Sequence, residues 1–122
     1  MNRFKIILAV IILVAAPAAF LSWKNKILIV VGHKDSTFGR AIFYDLNKLQ
    51  PGDKTVIERS DGKTSTFAVE SSEIYSQNNF PSEKVYGDIS HAGLRLITCT
   101  GKFNRLIGRY SHNLVVYAEL TK

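Results

Sequence analysis

A single cysteine, Cys99, stands in this chain of 122 residues, so no disulfide can form within it. The lone thiol is then a reactive group, a link to another chain, or a small buried hydrophobe. Histidine is scarce as well: His33, His91 and His112 are all there is. The net charge of +6 is spread along the chain, with no Lys/Arg block and no interleaving of basic and aromatic residues. That pattern speaks against nucleic-acid binding, and attraction to an anionic envelope carries no more weight. Acidic residues are dispersed without ligand spacing, so neither a metal nor a cofactor is expected. Internal repeats and low-complexity segments are absent too.

What the chain does have begins at its N-terminus. Arg3 and Lys5 precede an uncharged, mostly apolar run of 18 residues, Ile6 to Trp23, and Lys24 and Lys26 follow at once. As a helix that run is about 27 Å long, close to a spanning length. Residues 1–23 are therefore read as a signal anchor with its N-terminus inside. Cleavage near Ala16-Pro17-Ala18 is the competing reading. Either outcome places residues 24–122 beyond the membrane. The flanking cations are balanced, so the positive-inside rule barely decides orientation.

Beyond the anchor the residues are rich in β-branched and aromatic types, and no long helical period stands out. A mainly β domain is expected, with short helical turns. Ile27 to Val31 reads as a buried strand that ends in the polar Gly32-His33-Lys34-Asp35-Ser36. Phe38 to Leu46 mixes periods and fits a strand or a helical turn. Gln50-Pro51-Gly52-Asp53 is a turn, since Pro sets φ and Gly tolerates positive φ after it. Thr55 to Arg59 and Thr64 to Ser71 are strand-like, joined by Ser60-Asp61-Gly62-Lys63 as a hairpin. Phe80-Pro81-Ser82-Glu83 opens a short helix that closes near Gly87.

The stretch from Leu94 to Ala118 carries the chemistry. An alternating strand, Leu94 to Thr98, delivers Cys99 to its end. A connection with Gly101, Asn104 and Gly108 leads back into the run Leu114 to Ala118, which suggests paired strands. A thiol at a strand end, facing a loop with Arg105 and Arg109, is where a reactive cysteine would sit. Acyl transfer by cysteine needs a thiolate, a proton donor for the leaving amine, and a cation or N–H group for the oxyanion. For the acid, His33 lies directly after a strand in a Gly-flanked loop. His91 reads as exposed linker, and His112 has the lesser claim to the same groove. Arg105 and Arg109 are the cation candidates, each with a solvated surface role as the alternative.

The segments VVGHKDS, FYDLNKLQPGD, FPSEKVYGD and LRLITCTGKFNR–GRYSHNLVVYA, in this order and spacing, resemble the sortases, class F in particular. The resemblance covers Ile27 to Leu120. It implies a sortase-type β-barrel, eight-stranded and closed in the family, with a His, a Cys and an Arg. It also implies a membrane-anchored cysteine transpeptidase that cuts a Leu-Pro-x-Thr-Gly sorting signal between Thr and Gly. The acyl group would pass to an amine of a cell-wall precursor or a pilin, with hydrolysis by water as a variant. The family's TLxTC motif stands here as Leu96-Ile97-Thr98-Cys99, with Arg95 where Thr is often found. Cys99 would be the nucleophile, His33 the general acid, and Thr98 a wall of the substrate groove. Arg109 is preferred over Arg105 as the oxyanion and carbonyl partner, because 109, 111 and 113 share a strand parity; position 113 is Asn. Asp35 either orients His33 or serves as a cap or solvated charge.

One departure is expected to matter. The family places several strands and a helix before the strand that leads to the histidine, whereas Ser22 to Lys26 alone separate it here from the anchor. An N-terminally shortened, partial barrel follows, with strand edges that need covering. The alternative to an active transpeptidase is a catalytically inactive sortase-like β-domain, a binding module or a relic.

Overall fold

Short runs with apolar residues on alternate positions bury one face when paired, and runs apolar at every position are covered on both. The chain uses both kinds. The computed structural model describes residues 27–36, 39–58, 62–87 and 92–121. The expected anchor at 1–23 and His91 lie outside these, and among the described residues no helix is long and apolar enough to cross a membrane. In chain order the elements are β1 (Ile27–Val31), β2 (Asp35–Ser36), β3 (Gly39–Arg40), β4 (Lys54–Glu58), β5 (Thr64–Ser76), α1 (Ser82–Tyr86), β6 (Gly93–Asn104) and β7 (Arg109–Leu120). Single 3-10 turns occupy Leu46–Lys48 and Gln77–Asn79. The mainly β expectation and the short helical turns agree with this.

Among the described residues the main sheet has five strands in the order β1-β6-β7-β5-β4, and β2 and β3 form a separate small ribbon. Only β1–β6 is parallel; the other pairs are antiparallel. A partial barrel results, with β1 and β4 at its edges. On the inner face Leu94 and Leu96 of β6 meet Leu114, Val116 and Ala118 of β7, Ile57, Phe67 and Val69, and Phe43, Leu46 and Leu49 from the β3–β4 connection. On the outer face Ile97, Val115 and Tyr117 pack under Val85 of α1. Both parities of β6 and β7 are thus covered, which is why Leu114 to Ala118 of β7 reads as an unbroken apolar run.

Two elements run further than their sequence suggests. Pairing of β6 with β7 continues to Asn104 and Arg109 instead of stopping at Cys99. Gly101, at φ +87°, marks a bulge between the Thr100 and Phe103 pairs and not the turn. The turn itself is Arg105 to Gly108. The Asn104 carboxamide oxygen accepts from Leu106 N–H (2.9 Å), and Gly108 takes positive φ. Likewise β5 extends past Ser71 to Ser76, over a register shift between Val69 and Ser71. Polar, exposed ribbon strands carry no alternation signal, so their length is invisible until they pair.

The turn at Gln50-Pro51-Gly52-Asp53 forms as expected, with Gly52 at φ +94° and Asp53 N–H donating to the Gln50 carbonyl (3.0 Å). The short helix forms too, closed by Gly87 N–H on the Glu83 carbonyl (2.7 Å). Its Lys84 ammonium donates to Glu73 of β5 (2.8 Å), and Tyr75 donates to the same carboxylate. These two donors, Lys84 first, hold Glu73 below its ordinary 4.5. A depressed carboxylate contributes stability above its unfolded value and loses it as pH falls through the folded one. Glu73→Gln should therefore flatten the acid limb of stability against pH below about 4.5. Parallel acid limbs for variant and wild type in denaturant titrations would remove the Glu73 tie.

Gly32 sets a second constraint. A Cβ built there would lie 2.5 Å from Cδ2 and 2.7 Å from Cε2 of Phe43, a ring that is itself buried. Gly32→Ala should destabilise the chain by about 1–3 kcal/mol, as overpacking does. An unchanged melting temperature would show that Phe43 does not rest on this backbone.

Candidate active site

His33 is placed by backbone bonds on both sides. Gly32 N–H donates to the Ile97 carbonyl of β6 (3.0 Å), which carries the β1–β6 ladder one residue beyond β1. Phe43 N–H donates to the His33 carbonyl (3.1 Å) and Ala41 N–H to that of Lys34 (3.0 Å). In the parallel register Val31 is level with Ile97. Beyond the last pair, His33 and Cys99 each lie two residues further on, and both line one cavity.

Cys99 lies where the sheet's cover runs out. β6 is buried from Gly93 to Thr98, half-buried at Cys99 and Thr100, and exposed from Gly101 onward. This corrects the expectation of a thiol at a strand end: the cysteine is mid-strand, but it sits at the end of the strand's burial. Across the antiparallel pair Cys99 faces Asn113 of β7. Past that point β1 has ended and β5 ends level with His112, so β6 and β7 project as a bare two-stranded ribbon.

A cavity of about 170 Å³ is lined by Val31, Gly32, His33, Ile97, Thr98, Cys99 and Asn113. It is smaller than the roughly 300–1,000 Å³ of pockets that swallow a whole ligand, so it suits the reacting part of a longer one. Three of the expected site residues, His33, Thr98 and Cys99, meet here. Thr98 is 4% exposed, and among the described residues its Oγ1 has no hydrogen-bond partner. A buried hydroxyl without a partner is costly and suits a group that a ligand would satisfy.

The two arginines are elsewhere. Arg109 starts β7 opposite Asn104, and Arg105 lies in the turn; both are exposed and neither lines the cavity. At about 3.4 Å per residue, Arg109 begins some 13 Å along the ribbon from Asn113. His112 also stays out of the cavity lining, with Nδ1 2.6 Å from Ser111 Oγ. Arg95 points to the outer face, its guanidinium 4.5 Å from the Tyr117 ring centroid.

Asp35 does not orient His33 by its hydrogen bond; it accepts one from Tyr110 Oη (2.7 Å). Lys34 Nζ sits 5.5 Å from the Tyr110 ring centroid, and Phe103 packs edge-on against that ring at 5.1 Å. Tyr110 thus ties the histidine segment to the ribbon. Neither partner signals this in the sequence, because 75 residues separate them. Asn113 escaped notice as a cavity residue for a similar reason: an Asn inside a β-run gains meaning only from register.

The sortase domain model matches residues 8–121, nearly the whole chain, and the chain belongs to the sortase family. Similar solved structures include sortase C1 from Streptococcus agalactiae, at 22% identity and TM-score 0.66, over 81% of this chain and 47% of that one. Sortase C-1 from Actinomyces oris aligns at 22% identity and TM-score 0.65, over 81% and 51%. Sortase A from Corynebacterium diphtheriae aligns at 20% identity and TM-score 0.66, over 81% and 42%. The chain spans about half the length of these sortases, whose likeness concerns the fold. Among curated proteins none matches.

The Asp35 carboxylate holds the Tyr110 phenol above its ordinary 10, first through the hydrogen bond and then through burial. A raised phenol pKa contributes stability below about 10 and loses it as pH rises through the folded value. Asp35→Asn should bring the Tyr110 titration, followed by NMR of its ring, back toward 10. A midpoint that does not move would break the tie between loop and ribbon.

Proposed function

We propose that the chain is a membrane-anchored, class F-like cysteine transpeptidase acting on Leu-Pro-x-Thr-Gly sorting signals. The observation that carries this is the convergence of His33, Thr98 and Cys99 on one cavity. In the proposed cycle the Cys99 thiolate attacks the Thr carbonyl carbon. The C–S bond forms and the carbonyl π pair moves onto oxygen. Collapse breaks the C–N bond, and the departing glycine amine takes its proton from the His33 imidazolium. The resulting thioester is then attacked by an acceptor amine, which forms a new C–N bond, breaks C–S and returns its proton to His33. Water in place of the amine gives hydrolysis. Thr98 would form the cavity wall against the substrate. Arg109, with Arg105 nearby, would hold carbonyls of the peptide laid along the ribbon. Residues 6–23 would anchor the chain, with the catalytic part outside the cell membrane. The acceptor would be an amine of a cell-wall precursor or a pilin.

The absence of Arg105 and Arg109 from the cavity lining favours a second reading, a sortase-like β-domain that binds a peptide without turning it over. Mass spectrometry of the full chain in detergent, incubated with a Leu-Pro-x-Thr-Gly peptide and triglycine, separates the two. Transpeptidation predicts an acyl adduct on Cys99 and a peptide–triglycine product. Cys99→Ala should abolish both, and His33→Ala should slow them by about 10²–10⁴-fold. Peptide binding with no adduct would establish the second reading instead.

A further inference from the structure

We infer that the Asn113 carboxamide, not an arginine, is the donor that meets the oxyanion formed at Cys99. This rests on the acyl-transfer reading above and adds the group that reading lacks inside the cavity. Asn113 is directly opposite Cys99 in the β6–β7 register, and directly opposite side chains on one face stand about 4.5–5.5 Å apart at Cβ. Both line the cavity with His33. The cysteine therefore has the imidazole segment on its β1 side and the carboxamide on its β7 side.

The carboxamide is also oriented. Gln77 Nε2, from the 3-10 turn after β5, donates to Asn113 Oδ1 at 3.4 Å. With its oxygen so engaged, Asn113 keeps the two N–H bonds of Nδ2 as donors, and among the described residues they have no partner. When the thiolate adds to the carbonyl carbon, negative charge gathers on the carbonyl oxygen. A neutral N–H donor beside the sulfur stabilises that charge. Arg105 and Arg109 are exposed on the ribbon, where solvent screens them. They fit the binding of the peptide's outlying carbonyls better than the charge at the reacting carbon.

Asn113→Ala tests this directly, because it removes the N–H donor without adding charge, while Asn113→Asp keeps the size and the oxygen facing Gln77 but sets a negative charge beside the oxyanion. Acylation by the sorting-signal peptide and alkylation by iodoacetamide are measured on the full chain, the latter needing an accessible thiol but no oxyanion donor. Both Asn113→Asp and Asn113→Ala should slow acylation by about 10²–10³-fold, the usual loss for one oxyanion donor. Alkylation of Cys99 should change by less than about threefold in Asn113→Ala, and the loss should fall on kcat more than on KM. Wild-type acylation rates in both variants would overturn the inference while leaving the transpeptidase intact. Parallel loss of acylation and alkylation would reduce Asn113 to a packing residue. A wild-type chain that forms no adduct would overturn the transpeptidase reading and this inference with it.

Discussion

The parallel pairing of β1 with β6 is the constraint on which everything at the cavity depends. Parallel strands cannot be joined by a tight turn, so β1 and β6 meet only because the chain between them supplies the rest of the sheet. Their register is held by two hydrophobic faces at once. Leu28 and Val30 pack toward the inner core and Ile29 toward the outer one. A slip of one residue would exchange these sets and move His33 out of step with Cys99. Gly32 lets the chain pass close over Phe43 as it leaves the sheet, and the Gly32–Ile97 hydrogen bond keeps it in line for one residue more. The core residue Phe43 thus fixes the backbone on which His33 is carried, its ring against Gly32 and its N–H on the His33 carbonyl.

On the other side of Cys99 the constraint is the β6–β7 hairpin. Its buried half is clamped between β1 and β5, and its outer half is a free ribbon with exposed Leu106 and Ile107 at the tip. The cavity lies at the boundary between the two halves. The cavity residues are thereby backed by packed strands, while the arginines stand on the projecting part. Tyr110 bridges from that part to Asp35, so the ribbon and the histidine segment are not independent.

Much of this was legible in the residues. Ile27 to Val31, Leu94 to Thr98 and Leu114 to Ala118 announce strands because burial on one or both faces leaves its mark on composition. Pro51-Gly52 and Gly87 end elements through backbone geometry, which a sequence carries locally. His33 and Cys99 could be paired because each stands where an apolar run gives way to polar residues, whereas Thr98 was implied only by the resemblance to the TLxTC motif. The rest lay in pairing. Gly101 looks like a turn residue and serves as a bulge, and the strand continues past it because Lys102 to Asn104 find partners on β7. Asn113 became a cavity residue only when register put it opposite Cys99. For the arginines, strand parity says nothing of how far along the ribbon Arg109 stands, opposite Asn104 and outside the cavity lining.

Disulfide trapping in the full chain tests the central placement most directly. Neighbouring strands stand about 4.8 Å apart, within the span a disulfide bridges. His33→Cys should oxidise rapidly to an intrachain disulfide with Cys99, whereas Lys34→Cys, one residue out of phase, should not. Failure of His33→Cys to cross-link, or equal cross-linking at both positions, would contradict the shared cleft.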